Sequence, residues 1–231
     1  MYTRVSHVPP YDEFYETYLK PNVPVIIGPA LVASWPAYQS WATPNELTNA
    51  RDINWAYLRD HYGHHQVTVA DCANVDAAGN QERSTRLFAD VLSLSLPNYS
   101  LYIKDWHLAK SVKDPAHAFY TTPDIFQDDW MNAFYAAHTN DDFRFVYLGP
   151  RGSFTPLHRD VYTSYSWSTN VCGRKRWWLF PPEQTTLLFM PGRERREVPY
   201  DVRTADPKVF TEVARSRPVV VDQEDGETLF V

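Results

Sequence analysis

The sequence predicts a strand-rich fold, a β-sandwich or barrel, with helices bracing it from outside. Three observations carry this. From Phe143 onward the chain breaks into short β-branched and aromatic runs: "FRFVYLG", "FTPLHRD", "YSWSTNVCG", "KRWWLFPP", "RPVVVD" and "ETLFV". Gly149, Gly152, Gly173, Pro181, Pro182 and Gly226 punctuate them, and many short strands with frequent turns argue for a sandwich or barrel. The helical patterns cluster ahead of that stretch, without the strand–helix alternation of a parallel sheet. Eight Trp, fifteen Tyr and twelve Phe among 231 residues suit a shaped aromatic interior.

Taken in order, "YDEFYETYLK" (residues 11–20) reads as a short amphipathic helix stopped by Pro21. "VPVIIG" (23–28) is apolar and β-branched, a buried strand. Helical pieces are expected over 35–41 and 54–62, and a strand over 66–70 ("QVTVA"). "DAAGNQERS" (76–84) reads as a polar, turn-rich loop, "TRLFADVLSLSL" (85–96) as a helix, and "SLYIKDW" (100–106) as a strand. "DDWMNAFYAAH" (128–138) is helical again. "PGRERREVPYDVRTADP" (191–207) reads as an insertion in a barrel loop, its alternating Arg and Glu forming a solvated face. The expected organisation is one structural unit: residues 1–142 as a helical and β part, bracing a core built from 143–231.

The net charge of −6 argues against broad binding to nucleic acid or to an anionic membrane. Cys72 and Cys172 are too few for a disulfide framework, which points to a reducing compartment. The first twenty residues carry no apolar core of signal-peptide type. The longest greasy run, "VPVIIGPALVASW", is broken by Gly28 and Pro29 and is too short to span a bilayer. A cytoplasmic protein without membrane attachment is expected.

The chemistry concentrates in residues 154–182. On a strand, positions i and i+2 share a face, so His158 and Asp160 project together. An imidazole nitrogen beside a carboxylate oxygen is two thirds of the two-His-one-carboxylate triad that holds Fe(II). Standing alone, a His-x-Asp is also common as surface decoration. In "KRWWLF", Lys175, Trp177 and Leu179 share one face, and Arg176, Trp178 and Phe180 the other. A lysine opening a buried face needs an anionic partner, because an unpaired buried ammonium is costly. It either snorkels out at the strand end or binds a carboxylate of a ligand.

Four segments, in the same order, resemble the JmjC family of Fe(II)- and 2-oxoglutarate-dependent oxygenases. They are "PNVPVIIGPALVASWPA", "YSLYIKDWHL", "FVYLGPRGSFTPLHRDVYTSYSWSTNVCGRKRWWLFPP" and "PYDV". The resemblance covers most of the chain and is strongest for the branch that hydroxylates a lysine of the translation termination (release) factor. It implies a double-stranded β-helix (jelly-roll, cupin-like) core, with Fe(II) as metal and 2-oxoglutarate as co-substrate. His158 and Asp160 become the first two iron ligands. Thr155, Lys175 and Tyr102 become contacts of the co-substrate's tail carboxylate, and Asn170 lines the iron–co-substrate pocket. Strand parity does not put Thr155 beside His158, so Pro156 or a bulge has to reorient it. Each assignment has a plainer counterpart: Thr155 a strand threonine, Tyr102 a core tyrosine, Asn170 a turn-capping amide.

The family's distal histidine follows the carboxylate by a long interval. Here no histidine follows Asp160, and all seven others precede His158. "GETLFV" resembles the strand ahead of the missing ligand, so the core is expected to lack its last strands, and the free chain to be marginal or aggregation-prone. "HYGHH" (61–65) reads as a helix end with solvent-facing imidazoles, and nothing aims His107 at the iron. Two functions stay open. One is Fe(II)/2-oxoglutarate-dependent hydroxylation of a protein side chain, the release factor being the implied partner. The other is a shortened, catalytically inactive chain acting as a protein-binding module. A plain cupin-type binding module is a third.

Overall fold

The computed structural model describes residues 1–48, 50–77, 79–94, 100–112, 114–192 and 197–231. The chain opens with strand β1 (Thr3–Val5), helix α1 (Tyr11–Phe14) running into a π turn (Tyr15–Leu19), and strand β2 (Val25–Ile27). Then come α2 (Pro36–Ser40), β3 (Ala42–Pro44), β4 (Arg51–Ile53), α3 (Trp55–Tyr62), β5 (Gln66–Val75), β6 (Gln81–Leu87) and α4 (Phe88–Ser93). β7 (Leu101–Trp106), α5 (Leu108–Ser111) and α6 (Trp130–His138) lead into the strand-rich half. That half holds β8 (Val146–Leu148), β9 (Trp167–Thr169), β10 (Lys175–Leu179), β11 (Val219–Gln223) and β12 (Thr228–Phe230). The structure is sheet-rich with several helices, consistent with a jelly-roll core.

The first sheet runs β1-β2-β12-β9 and interleaves the two ends of the chain. β12 lies antiparallel to both neighbours, with Leu229 opposite Ile26 and Ser168. Alternation sorts its side chains. Val25, Ile27 and Phe230 face one way, onto Phe14 and Tyr18 of the first helix and onto Phe126. Ile26 and Leu229 face the other way and meet Val221 of the two-stranded β10–β11 sheet, with Trp177 and Leu179 packed at the margin. A sheet covered on both faces needs a continuous apolar run, and "VII" of β2 is entirely buried.

The second large sheet runs β6-β5-β7-β8, all antiparallel. Val67, Val69 and Ile103 turn toward Leu58, Tyr62, Phe88 and Val91 of the flanking helices. Asp105 has φ +53°, and the β7–β8 register shifts between Ile103 and Trp106. This irregularity lets Trp106 enter the same core as Ile103, although their parity differs. Tyr102 and Lys104 keep the opposite face.

Three expectations change. The polar loop over 76–84 is shorter, because Gln81 onward pairs with β5, with Gln66 opposite Leu87. The helix over 85–96 accordingly begins only at Phe88, and Ser95 and Leu96 lie outside the described residues. "FTPLHRD" is not a ladder strand. Pro156 has no N–H to offer, while the Phe154 amide donates to Cys72 Sγ and its carbonyl accepts from Gln81 Nε2 at 2.9 Å. Of the Arg/Glu insertion, residues 193–196 lie outside the described residues, and beyond them Asp201 caps the turn Val202–Thr204 and pairs with Arg203.

Candidate functional site

A broad, open cleft of ≈ 2970 Å³ runs through the molecule, with residues of β7, β8, β9 and β10 among its walls. Tyr102, Lys104, Tyr147, Thr155, His158, Asp160, Asn170 and Lys175 all line it. The six residues singled out from the sequence are thus among its many lining residues, and they come from four separate segments.

His158 and Asp160 remain side by side although their segment is extended without being paired. His158 Nε2 stands 3.3 Å from Asp160 Oδ1, and both side chains are open to the cleft. His158 Nδ1 lies 2.8 Å from the Pro156 carbonyl oxygen, to which it donates. That bond leaves the Nε2 lone pair free to accept a proton or a metal ion. The Asp160 carboxylate raises the imidazole's pKa above its ordinary value, and His158 in turn holds Asp160 below the usual carboxylate range. Just beyond, Tyr162 and Thr163 both carry positive φ (57° and 53°), a costly backbone immediately beside the pair.

Tyr102 is 7% exposed, and burial pushes its hydroxyl up to about 12, a shift partly offset by the nearby Thr155 hydroxyl. The Thr155 hydroxyl thus lies near that of Tyr102. Gly149 makes this possible: a Cβ there would stand 2.6 Å from Tyr102 Cδ2 and 2.4 Å from Ser153 Oγ. Lys175 is half-buried and opens β10. Its Nζ lies 4.0 Å from the Trp177 ring centroid and 5.6 Å from that of Tyr147. It has no ion-pair partner among the described residues, and burial, then the charge of Lys104, lowers its pKa to about 8. The two indole and phenol faces soften that cost without cancelling the charge.

Asn170 serves the turn after β9. Its Nδ2 donates to Gly173 O at 2.7 Å, its backbone N–H to Glu227 O, and its carbonyl accepts from Gly226 N. It lines the cleft, but its amide nitrogen is committed to the turn. Sequence reasoning passed over Tyr147 and Lys104. Tyr147 Oη donates to Asp105 Oδ1 at 3.0 Å. The i, i+2 spacing of Lys104 from Tyr102 was the signal that could have found it.

A second cluster lies away from the cleft lining. His107, Asp141 and Asp142 can bring ligand atoms within 4.8 Å of one another. Here, however, Asp142 accepts from His107 Nδ1 at 2.6 Å and from Arg144 at 3.0 Å, so its carboxylate is already neutralised. "HYGHH" is a packing feature: His61 stacks on Tyr57 at 3.8 Å, and His65 lies edge-on to Trp106 at 5.8 Å.

A strand-rich shell around a cleft with a His-x-Asp pair is what the cupin-like domain family builds. The description of that family, "Cupin-like domain", matches residues 11–231, and the chain belongs to it. Its JmjC character shows in its relatives. It is 36% identical to the human "2-oxoglutarate and iron-dependent oxygenase JMJD4" over 237 residues, covering 96% of this chain and 54% of that protein. The mouse protein of the same name is 34% identical over 236 residues, 96% of this chain and 53% of its own. The "Arginine-specific demethylase JMJ20" of Arabidopsis thaliana is 35% identical over 241 residues, 96% of this chain and 50% of its own. The chain spans about half the length of the curated relatives it matches. No described helix is long and apolar enough to cross a membrane.

Proposed function

We propose that the chain is the co-substrate-binding part of an Fe(II)- and 2-oxoglutarate-dependent protein hydroxylase of JmjC type. The observation that carries this reading is Lys175: a cation without a counter-ion, set in the same cleft as an exposed His–Asp pair. Tyr102 and Thr155 present hydroxyls there, so the cleft offers one ammonium and two neutral donors to a carboxylate, a donor set that fits one end of a small diacid. His158 Nε2 and Asp160 Oδ1 are the nitrogen and oxygen donors that suit Fe(II). When bound, Fe(II) with 2-oxoglutarate supplies the oxidation by O₂ that leaves succinate, CO₂ and a hydroxylated side chain. Lys175 neutralises the far carboxylate, Tyr102 and Thr155 orient it, and the Pro156 carbonyl holds the His158 tautomer. Residues 143–231 supply most of this site, and residues 1–142 brace it and add Tyr102 from β7. The proposed substrate is a lysine of a translation release factor in the cytoplasm.

A second reading has its own observation. No second histidine joins His158 and Asp160 among the described residues, and two protein ligands hold a metal weakly. The chain would then bind 2-oxoglutarate or a protein without turning over. To separate the two, the chain is incubated with Fe(II), ascorbate, 2-oxoglutarate and the release factor, and the release factor is examined by mass spectrometry. One oxygen added to a lysine, and lost with His158→Ala and with Asp160→Ala, is the expected result. Binding of 2-oxoglutarate with no oxygen transferred supports the second reading. Failure to bind 2-oxoglutarate with Fe(II) or Mn(II) present overturns the first reading, and failure to bind the release factor as well overturns the second.

A further inference from the structure

Lys104 is the least expected charge in the molecule. Its residue is 4% exposed, deep on β7, two positions from Tyr102 and on the same face of the strand. Among the described residues its ammonium makes one hydrogen bond, a long one of 3.4 Å to the neutral Gln81 Oε1. No carboxylate lies within ion-pair distance of it among the described residues. The adjacent Asp105, whose charge partly offsets the burial of Lys104, is engaged by Arg83 at 2.9 Å and by the Tyr147 hydroxyl. Gln81 is itself fixed, its Nε2 donating to Phe154 O at 2.9 Å, so its oxygen is held toward the lysine.

A buried ammonium without a counter-ion is unfavourable by several kcal/mol unless something else compensates it, as an order of magnitude. Lys104 does not stand alone in this. Lys104 and Lys175 both line the cleft, and the charge of Lys104 is felt at Lys175. Two ammonium groups facing one cavity repel each other when it is empty, and both are relieved by an anion placed between them. Lys104 has no part in the site that the family resemblance assigns.

We propose that Lys104 is a second cation of the anion pocket, so that with Lys175 it selects a small dianion over a monoanion. This rests on the reading of the cleft as a dicarboxylate site and names the residue that sets its charge preference. Gln81 acts as a positioning residue, aiming the ammonium into the cavity. Because both cations belong to the protein, the preference exists before any metal binds.

The test is titration calorimetry on the metal-free chain, kept in EDTA, with 2-oxoglutarate and with 2-oxopentanoate, which has the same carbon chain but one carboxylate. Wild type should prefer 2-oxoglutarate. Lys104→Met should weaken 2-oxoglutarate about ten- to a hundred-fold, the scale of one charge-assisted contact, and narrow its preference over 2-oxopentanoate. Lys104→Arg should retain most of the preference, which also guards against a folding artefact. Melting of each variant with and without 2-oxoglutarate gives a second readout: Lys104→Met should be at least as stable as wild type when empty, and gain less from ligand. If Lys104→Met binds 2-oxoglutarate as wild type does while Lys175→Met does not, the Lys104 proposal is wrong and the co-substrate reading survives. If wild type binds neither acid, even with Mn(II), the co-substrate reading fails as well.

Discussion

The ammonium of Lys175 lies over the Trp177 ring with its pKa lowered from 10.5 to about 8, and the direction has a measurable sign. Below pH 8 the group is charged in the empty folded protein, and a carboxylate binds it without taking up a proton. Above pH 8 it is increasingly neutral, so binding must recharge it. Affinity for 2-oxoglutarate should thus be flat up to about pH 8 and then fall, by at most about tenfold per pH unit. In Lys175→Arg, whose charge persists, the decline should vanish. The stability of the empty chain runs the other way. Between about pH 8 and 10.5 the unfolded lysine binds more protons than the folded one, so stability should rise across that window. Calorimetry and melting across pH 7–10.5 check both, and a flat wild-type binding profile would remove Lys175 from the anion contact.

At the scale of elements, the cleft depends on how closely the end of β8 approaches β7. Gly149 follows β8 and leaves no room for a Cβ, which would fall 2.6 Å from the Tyr102 ring and 2.4 Å from Ser153 Oγ. Gly149→Ala must therefore displace Tyr102 or the turn, an overpacking cost of about 1–3 kcal/mol. The expected outcome is a lower melting temperature together with weaker 2-oxoglutarate binding, because Tyr102 and Thr155 lose their alignment. A variant that loses stability but binds normally would show that Tyr102 is only a core tyrosine. The same approach shows why "FTPLHRD" escaped a strand-based reading. Its backbone groups at Phe154 are taken by the side chains of Cys72 and Gln81, more than seventy residues away, and no local pattern announces such partners.

Over the whole molecule, the apolar surface is unevenly distributed. α6 has no buried residue, and Trp130 and Phe134 on it are 81% and 58% exposed. Tyr162, 73% exposed, meets the same helix through Tyr135, their hydroxyls 2.8 Å apart. Adjacent large apolar groups in water favour association, against which the net charge of −6 works only weakly at physiological salt. The chain should self-associate at micromolar concentration, and Trp130→Ser with Phe134→Ser should shift it toward monomer. Sedimentation velocity decides, and a wild-type chain monomeric at every concentration would show the patch to be inert.

The sequence by itself located most of the buried strands and named the His158–Asp160 pair, but it missed β1, β3, β4 and β6. β-branched and aromatic runs between glycines and prolines located β2, β7, β9, β10, β11 and β12, because such runs bury both faces of short strands whatever their partners. His158 and Asp160 could be named together because two residues of extended chain return to one side. Local signals failed where a partner from elsewhere in the chain made the decision. The β6–α4 boundary was set by pairing with β5, and the Asn170 amide by the carbonyl of Gly173. Only the tertiary structure decided that Lys104 belongs to the cleft. A lysine two residues after a tyrosine is ordinary in sequence. It becomes a candidate site residue when the sheet buries it, Arg83 and Tyr147 engage Asp105, and no carboxylate lies within ion-pair distance among the described residues.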